Sequence, residues 1–183
     1  LLIPIDDVMM KSLPVYINPR QLAVSEQRLS GGLKLSAMPR LCRLLTSSEG
    51  TLQCDLGFKM EGRLPVMQAH LQAELWLSCE RCCESVKYLL DRSVQFAFVS
   101  TEEQVQSIPA GMEAVVLTDA ESSLPILLED EALLSLPMVP KHNLSDCQGV
   151  VNDILQKSQS SQDEPETEKP NPFAILSQLK SQE

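Results

Sequence analysis

Cys79-Glu80-Arg81-Cys82, with Cys83 directly behind it, is the stretch best equipped for chemistry. Two cysteines separated by two residues can turn their thiolates toward one point, the arrangement a tetrahedral zinc ion requires. Such a site needs two more ligands. His142 and Cys147, in Pro140-Lys-His-Asn-Leu-Ser-Asp-Cys147, are the candidates by residue type and spacing. Three thiolates and one imidazole make a closed structural set with no position left for water. Cys79, Cys82, His142 and Cys147 are therefore a candidate structural zinc site that would staple a turn to a distant segment. The competing reading is that the cysteines are unliganded thiols on a loop. Cys83 points elsewhere as a bystander, and a disulfide between neighbours Cys82 and Cys83 would be strained. Cys54 falls in an apolar phase and reads as a small buried hydrophobe, as does Cys42.

Other reactive groups are sparse. The chain has two histidines, His70 and His142, and neither has a nucleophile beside it. Glu129, Asp130 and Glu131 form an acidic cluster that could hold magnesium or act as acid and base. Such a cluster on a helix is more commonly a solvated or salt-bridged face. A nuclease or RNA-modifying enzyme would have to gather Glu129, Asp130 and Glu131 with His70 in one cleft, which makes that convergence the discriminating observation. A zinc- or thiol-dependent sensor is a further alternative, and exposed thiolates would be its mark. His70 and Trp76 share the polar phase of one run, as a small recognition surface or as residues under a covering helix.

The cysteine pair lies between two strand-like runs. Ala69, Leu71, Ala73, Leu75 and Leu77 alternate with Gln68, His70, Gln72, Glu74 and Trp76; Val86, Tyr88 and Leu90 alternate beyond the pair. Period-two alternation on both sides of a tight turn predicts a β-hairpin with one buried face. Thr51–Met60 predicts a third strand, with Leu52, Cys54, Leu56, Phe58 and Met60 facing the core and Glu61-Gly62-Arg63 turning into the hairpin. Val94, Phe96 and Phe98 continue the core face after Asp91-Arg92. Asn18-Pro19 reads as N-cap and first helical residue of a short helix to about Glu26. Ser30-Gly31-Gly32 breaks the pattern before a strand at Leu33–Leu35, Met38–Leu45 fits helix or strand, and Ala114–Leu117 is a short strand. Ser122 or Ser123 can cap a helix to about Leu136. Its apolar residues go nearly all round, which predicts burial on every side. Val150–Gln156 reads as a weak helical turn, Ser158–Lys169 as disordered, and Phe173, Leu176 and Leu179 as one face of a short amphipathic helix that either docks on a partner or folds back on its own domain.

The expected fold class is α+β: a central antiparallel sheet, meander or partial barrel, with a few short helices. Residues 10–157 form the domain and 158–183 a flexible acidic tail. A chain of 183 residues with 43% hydrophobic content suffices for a core, and a net charge of −10 argues against bulk electrostatic binding of nucleic acid. The charge is uneven. Lys11, Arg20, Arg28, Lys34, Arg40 and Arg43 make the N-terminal third basic, the expected place for any contact with ribosomal RNA. Six irregularly spaced cysteines read as a reducing compartment, hence the cytoplasm. Residues 1–10 carry Asp6 and Asp7 without a basic lead, so no secretory signal is expected; Leu1 in place of Met leaves an upstream extension open. No run is long enough to span a bilayer.

Three motifs in order carry a family resemblance: Cys79-Glu-Arg-Cys82; Leu128-Glu-Asp-Glu-Ala-Leu-Leu-Ser-Leu-Pro-Met-Val-Pro-Lys-His142 followed by Cys147; and Lys169-Pro-Asn-Pro-Phe-Ala-Ile-Leu-Ser-Gln-Leu-Lys180. Together they resemble the YceD family, bacterial proteins linked to accumulation of large-subunit ribosomal RNA, with related plant proteins in plastids. The resemblance implies a cytoplasmic ribosome-biogenesis factor acting as an interaction protein rather than an enzyme. It carries family cysteines onto Cys79, Cys82 and Cys147, and places His142 near a further cysteine of many members. The implied partner is a ribosomal protein or ribosome-assembly factor.

Overall fold

The computed structural model describes residues 12–143 together with Asp146 and Cys147. The chain divides into two compact units, Leu1–His142 and Asn143–Glu183. Lys11 and the expected elements from Val150 onward, including the tail and its docking helix, lie outside the described residues.

The first unit has an α+β fold built on one open five-stranded sheet. Strand β1 is Tyr16–Ile17, β2 Arg28–Lys34, β3 Thr51–Glu61, β4 Leu64–Ser78, β5 Ser85–Val99, β6 Glu113–Val116 and β7 Ser122–Ser123. The main sheet runs β2-β3-β4-β5-β6, and β1 pairs with β7. β2 to β5 are an antiparallel meander, whereas β6 joins β5 in parallel. The sheet does not close into a barrel, because β2 and β6 remain at its two edges. Gly62, at φ +64°, makes the tight turn between β3 and β4 that a side chain would disfavour.

Alternation sets the two faces. Cys54 lies across from Leu71, Leu56 from Ala69 and Phe58 from Met67. Ala69 in turn faces Val94, and Met67 faces Phe96. These residues are buried and form the core with Leu52, Leu75 and Leu90. Cys54 is 2% exposed, and burial pushes its thiol up to about 12, with Asp55 adding to the shift, so it is packing and not chemistry. The opposite face carries Gln53, Asp55, Gln68, His70, Gln72 and Trp76. No helix among the described residues covers His70 or Trp76, and Trp76 is 37% exposed.

Helices close the core side. Helix α1 spans Pro19–Val24, and the Asn18 side chain accepts from Gln21 N–H at 3.0 Å. It stops two residues short of Glu26, where the chain takes φ +47°. Helix α2 is Pro39–Cys42. β2 runs straight through Gly31-Gly32 instead of starting after them, because pairing with β3 overrides the low strand propensity of glycine.

Helix α3, Leu124–Leu134, starts after Ser123 without a side-chain cap. It is not buried all round: Ile126 and Leu134 are 57% and 75% exposed, while Leu124, Leu128 and Ala132 face the core. Two acidic residues complete its inner side. Glu129 accepts from the backbone N–H groups of Arg40 and Leu41 at 2.7 and 3.1 Å and from Arg40 Nε at 3.0 Å. Glu131 accepts from Arg92 Nε at 2.7 Å.

A candidate metal centre at the hairpin tip

β4 and β5 stay in register from Val66–Ala97 to Ser78–Ser85, so the tip is confined to Cys79–Glu84. The turn closes through Cys79 N–H to Glu84 O and Cys83 N–H to Cys79 O, both 2.8 Å. Cys83 sits at φ +61° and is exposed. This left-handed residue reverses the chain and aims the Cys83 side chain away, as expected of a bystander. Cys79 is fully buried and Cys82 half-buried.

A second route brings His142 to this tip. Tyr88 Oη donates to Ser135 O at 2.8 Å, fixing the end of α3 against β5. The chain then passes Pro137 and Pro140, and Glu80 N–H donates to Pro140 O at 2.9 Å. His142 follows, with Nδ1 3.4 Å from Cys82 Sγ and Nε2 3.2 Å from Ser85 O. A carbonyl can only accept, so Nε2 carries the hydrogen and the Nδ1 lone pair faces the sulfur. An imidazole fixed through its second nitrogen in this way is the usual posture of a metal-ligating histidine.

The ligand atoms of Cys79, Cys82 and His142 lie within 4.8 Å of one another. Bond lengths of 2.0–2.3 Å around a tetrahedral zinc place neighbouring ligand atoms about 3.5–3.8 Å apart. The Cys82–His142 separation of 3.4 Å fits such an edge. Burial pushes the Cys79 thiol up, but backbone N–H groups of Cys82, His142 and Arg81 and the Cys82 side chain outweigh it and bring the thiol down to about 5. Amides aimed at a sulfur stabilise the thiolate, which is the metal-binding form. Cys147, in the second unit, is buried, and its N–H donates to Asn143 O at 3.1 Å. The chain thus supplies a Cys3His set, Cys79, Cys82, His142 and Cys147, of a chemistry able to hold a metal ion.

The acidic cluster is used differently. Glu129 and Glu131 are 4% and 1% exposed, and each is matched to an arginine. Arg40 pairs with Glu129 at 3.0 Å and Asp130 at 2.5 Å; Arg92 pairs with Glu131 at 2.7 Å. His70 lies on the other face of the sheet, bonded through Nδ1 to Ser93 Oγ at 2.8 Å. The cluster and His70 do not share a cleft. Arg40, counted above in the basic N-terminal third, is occupied by these carboxylates. The arginine partners were not anticipated, although Arg92 falls in the apolar phase between Leu90 and Val94, a signal that it faces the helix side.

The profile of the YceD family, described as large ribosomal RNA subunit accumulation protein YceD, matches residues 67–180. That span contains Cys79, Cys82, His142 and Cys147. A protein of Haemophilus influenzae named large ribosomal RNA subunit accumulation protein YceD is 28% identical over 178 residues, covering 92% of this chain and 96% of the relative. No solved structure matches the chain. No helix among the described residues is long and apolar enough to cross a membrane.

Proposed function

The chain belongs to the YceD family, and on that premise we propose that it supports the synthesis, processing or stability of large-subunit (23S) ribosomal RNA as a binding protein in the cytoplasm. The observation that carries this reading is the family match together with the near full-length similarity to a relative named for large ribosomal RNA accumulation. Its partner is a ribosomal protein or an assembly factor, and any contact with ribosomal RNA is made locally by the basic N-terminal third. The role is one of binding and not catalysis. The separation of His70 from Glu129–Glu131 supports this, since the acid–base set of the rival enzyme is not assembled. A net charge of −10 suits a basic ribosomal protein better than bare RNA, whose phosphates it repels.

Zinc in this reading is structural. Cys79, Cys82 and His142 supply three ligands, and Cys147 the fourth, only five residues beyond His142. When bound, the ion would hold these four side chains together and supply no reaction. The residues around it already do part of that work: Ser85 O orients His142, and Pro140 O holds the tip through Glu80 N–H.

Affinity purification of the tagged protein from growing cells tests the reading. Precursor large-subunit particles, or their proteins and RNA, are expected to co-purify. Recovery of neither ribosomal protein nor ribosomal RNA would overturn a direct role.

A further inference from the structure

The sheet face opposite the core, buried at Val66 and Ala97 but open over the rows beside them among the described residues, contains a feature that the metal centre and the family match do not use. Register places two rows of side chains across four strands. One row is Arg28, Gly57, Gln68 and Gln95; the next is Ser30, Asp55, His70 and Ser93. Four strands span about 14 Å, and successive same-face rows are about 7 Å apart. Gly57 leaves the first row without a side chain at its centre, and a Cβ built there meets nothing within 4 Å. The result is a concavity of about 810 Å³ floored by the two rows and walled on one side by Ala110–Met112.

From this geometry we infer that the concavity over Gly57 binds a nucleotide of single-stranded RNA, the base reading the Gln68 and Gln95 amides and Asp55, and Arg28 meeting the phosphate. The inference deepens the proposed function and rests on it for the choice of RNA. The chemistry of the lining supports that choice. Amides, a carboxylate, hydroxyls and an imidazole offer donors and acceptors to a planar base edge, and unpaired bases expose those edges. Protein hot spots centre instead on Trp, Tyr or Arg anchors in desolvated pockets, whereas these two rows hold no aromatic side chain and their one arginine, Arg28, is exposed. His70 is held in place by Ser93, so this part of the floor is preorganised. Arg28 is the one basic side chain of this floor apart from His70 and takes part in none of the ion pairs among the described residues. Asp55 balances it, so recognition must be local rather than by bulk charge, in keeping with the acidic chain. Trp76 lies on the same face of β4, six residues or about 20 Å from His70, where a strand leaving the concavity could stack.

The test is fluorescence anisotropy of the purified full chain with labelled single-stranded and duplex RNA, for wild type, Gly57→Leu and Arg28→Ala. Gly57 has no positive φ and open space above it, so leucine fills the concavity without disturbing β3; unchanged melting temperature confirms the fold. Wild type is expected to prefer single strands, and Gly57→Leu to weaken binding at least about tenfold. One phosphate contact predicts a salt slope near −0.7, about a threefold loss between 50 and 200 mM, which Arg28→Ala removes. Equal affinity of wild type for duplex, or undiminished affinity of Gly57→Leu, would overturn the inference. So would loss of a ribosomal-protein contact in Gly57→Leu with RNA affinity intact, which would make the face a protein-docking surface. Precursor-particle association without RNA affinity overturns this inference alone. RNA affinity without particle association leaves it standing and overturns the proposed function.

Discussion

His142 Nδ1 stands 3.4 Å from Cys82 Sγ while Nε2 is 3.2 Å from the Ser85 carbonyl. Both groups that fix the ring belong to the β4–β5 hairpin, so a residue beyond α3 is oriented by the tip it is paired with. The ligand geometry is thus a product of hairpin register on one side and of α3 placement on the other.

Zinc stoichiometry follows directly. Protein purified without chelator is expected to carry about one zinc per chain by elemental analysis, and Cys79→Ser or Cys82→Ser to lower this well below one. His142→Cys, which restores a thiolate, should retain the metal. Chelation should also shift the emission of Trp76, the single tryptophan, whose carbonyl accepts from Thr46 N–H only three residues before Cys79. A chain free of zinc after purification under reducing, chelator-free conditions would refute the site.

Cys83 should be dispensable. It occupies a left-handed conformation at φ +61°, which costs a residue with a Cβ about 1–2 kcal/mol. Cys83→Gly is expected to keep its zinc and to melt no lower than wild type. Loss of zinc in this variant would mean that Cys83 is a ligand.

The Arg92–Glu131 pair should behave as a buried pair from one side only. Glu131 is 1% exposed, whereas the Arg92 side chain is 48% exposed. Arg92→Met would strand a carboxylate in the core and cost about 3–5 kcal/mol in urea unfolding. Adding Glu131→Leu should recover most of that loss. Equal destabilisation by the single and double variants would show that Arg92 acts through packing alone.

Glu129 makes the fold acid-sensitive. Burial raises its pKa, but the backbone N–H groups of Leu41 and Arg40 and the Arg40 guanidinium outweigh it and hold the carboxyl below its ordinary value of 4.5. A depressed folded pKa means stabilisation that is present above about 4.5 and lost as pH falls through the lower folded value. Glu129→Gln should cost about 1.5–3 kcal/mol at pH 7 and show a flatter stability profile below that value. Parallel profiles for wild type and variant would remove Glu129 from the acid response.

These pairs also mark where the sequence stops being legible. Strict alternation from Leu52 to Phe58 and from Ala69 to Leu77 reveals the meander and its core face, because each residue in a half-buried strand declares its side. The candidate ligands were readable for the same reason: Cys79 and Cys82 fall between two such runs. The parallel docking of β6 on β5 was not readable, since Glu113–Val116 is short and its partner is chosen by tertiary packing. Nor was the fate of Glu129 and Glu131. Their arginines lie 89 and 39 residues away along the chain, and a buried carboxylate next to a distant guanidinium looks, in sequence, like a solvated acidic run. The hole over Gly57 needed the register of four strands to become visible.

The most direct test of the central claim is the ratio of large- to small-subunit ribosomal RNA after depletion of this protein in growing cells. The ratio is expected to fall, to be restored by the wild-type chain, and to be restored incompletely by Cys79→Ser. A ratio that stays at its starting value after the protein is gone would contradict the account.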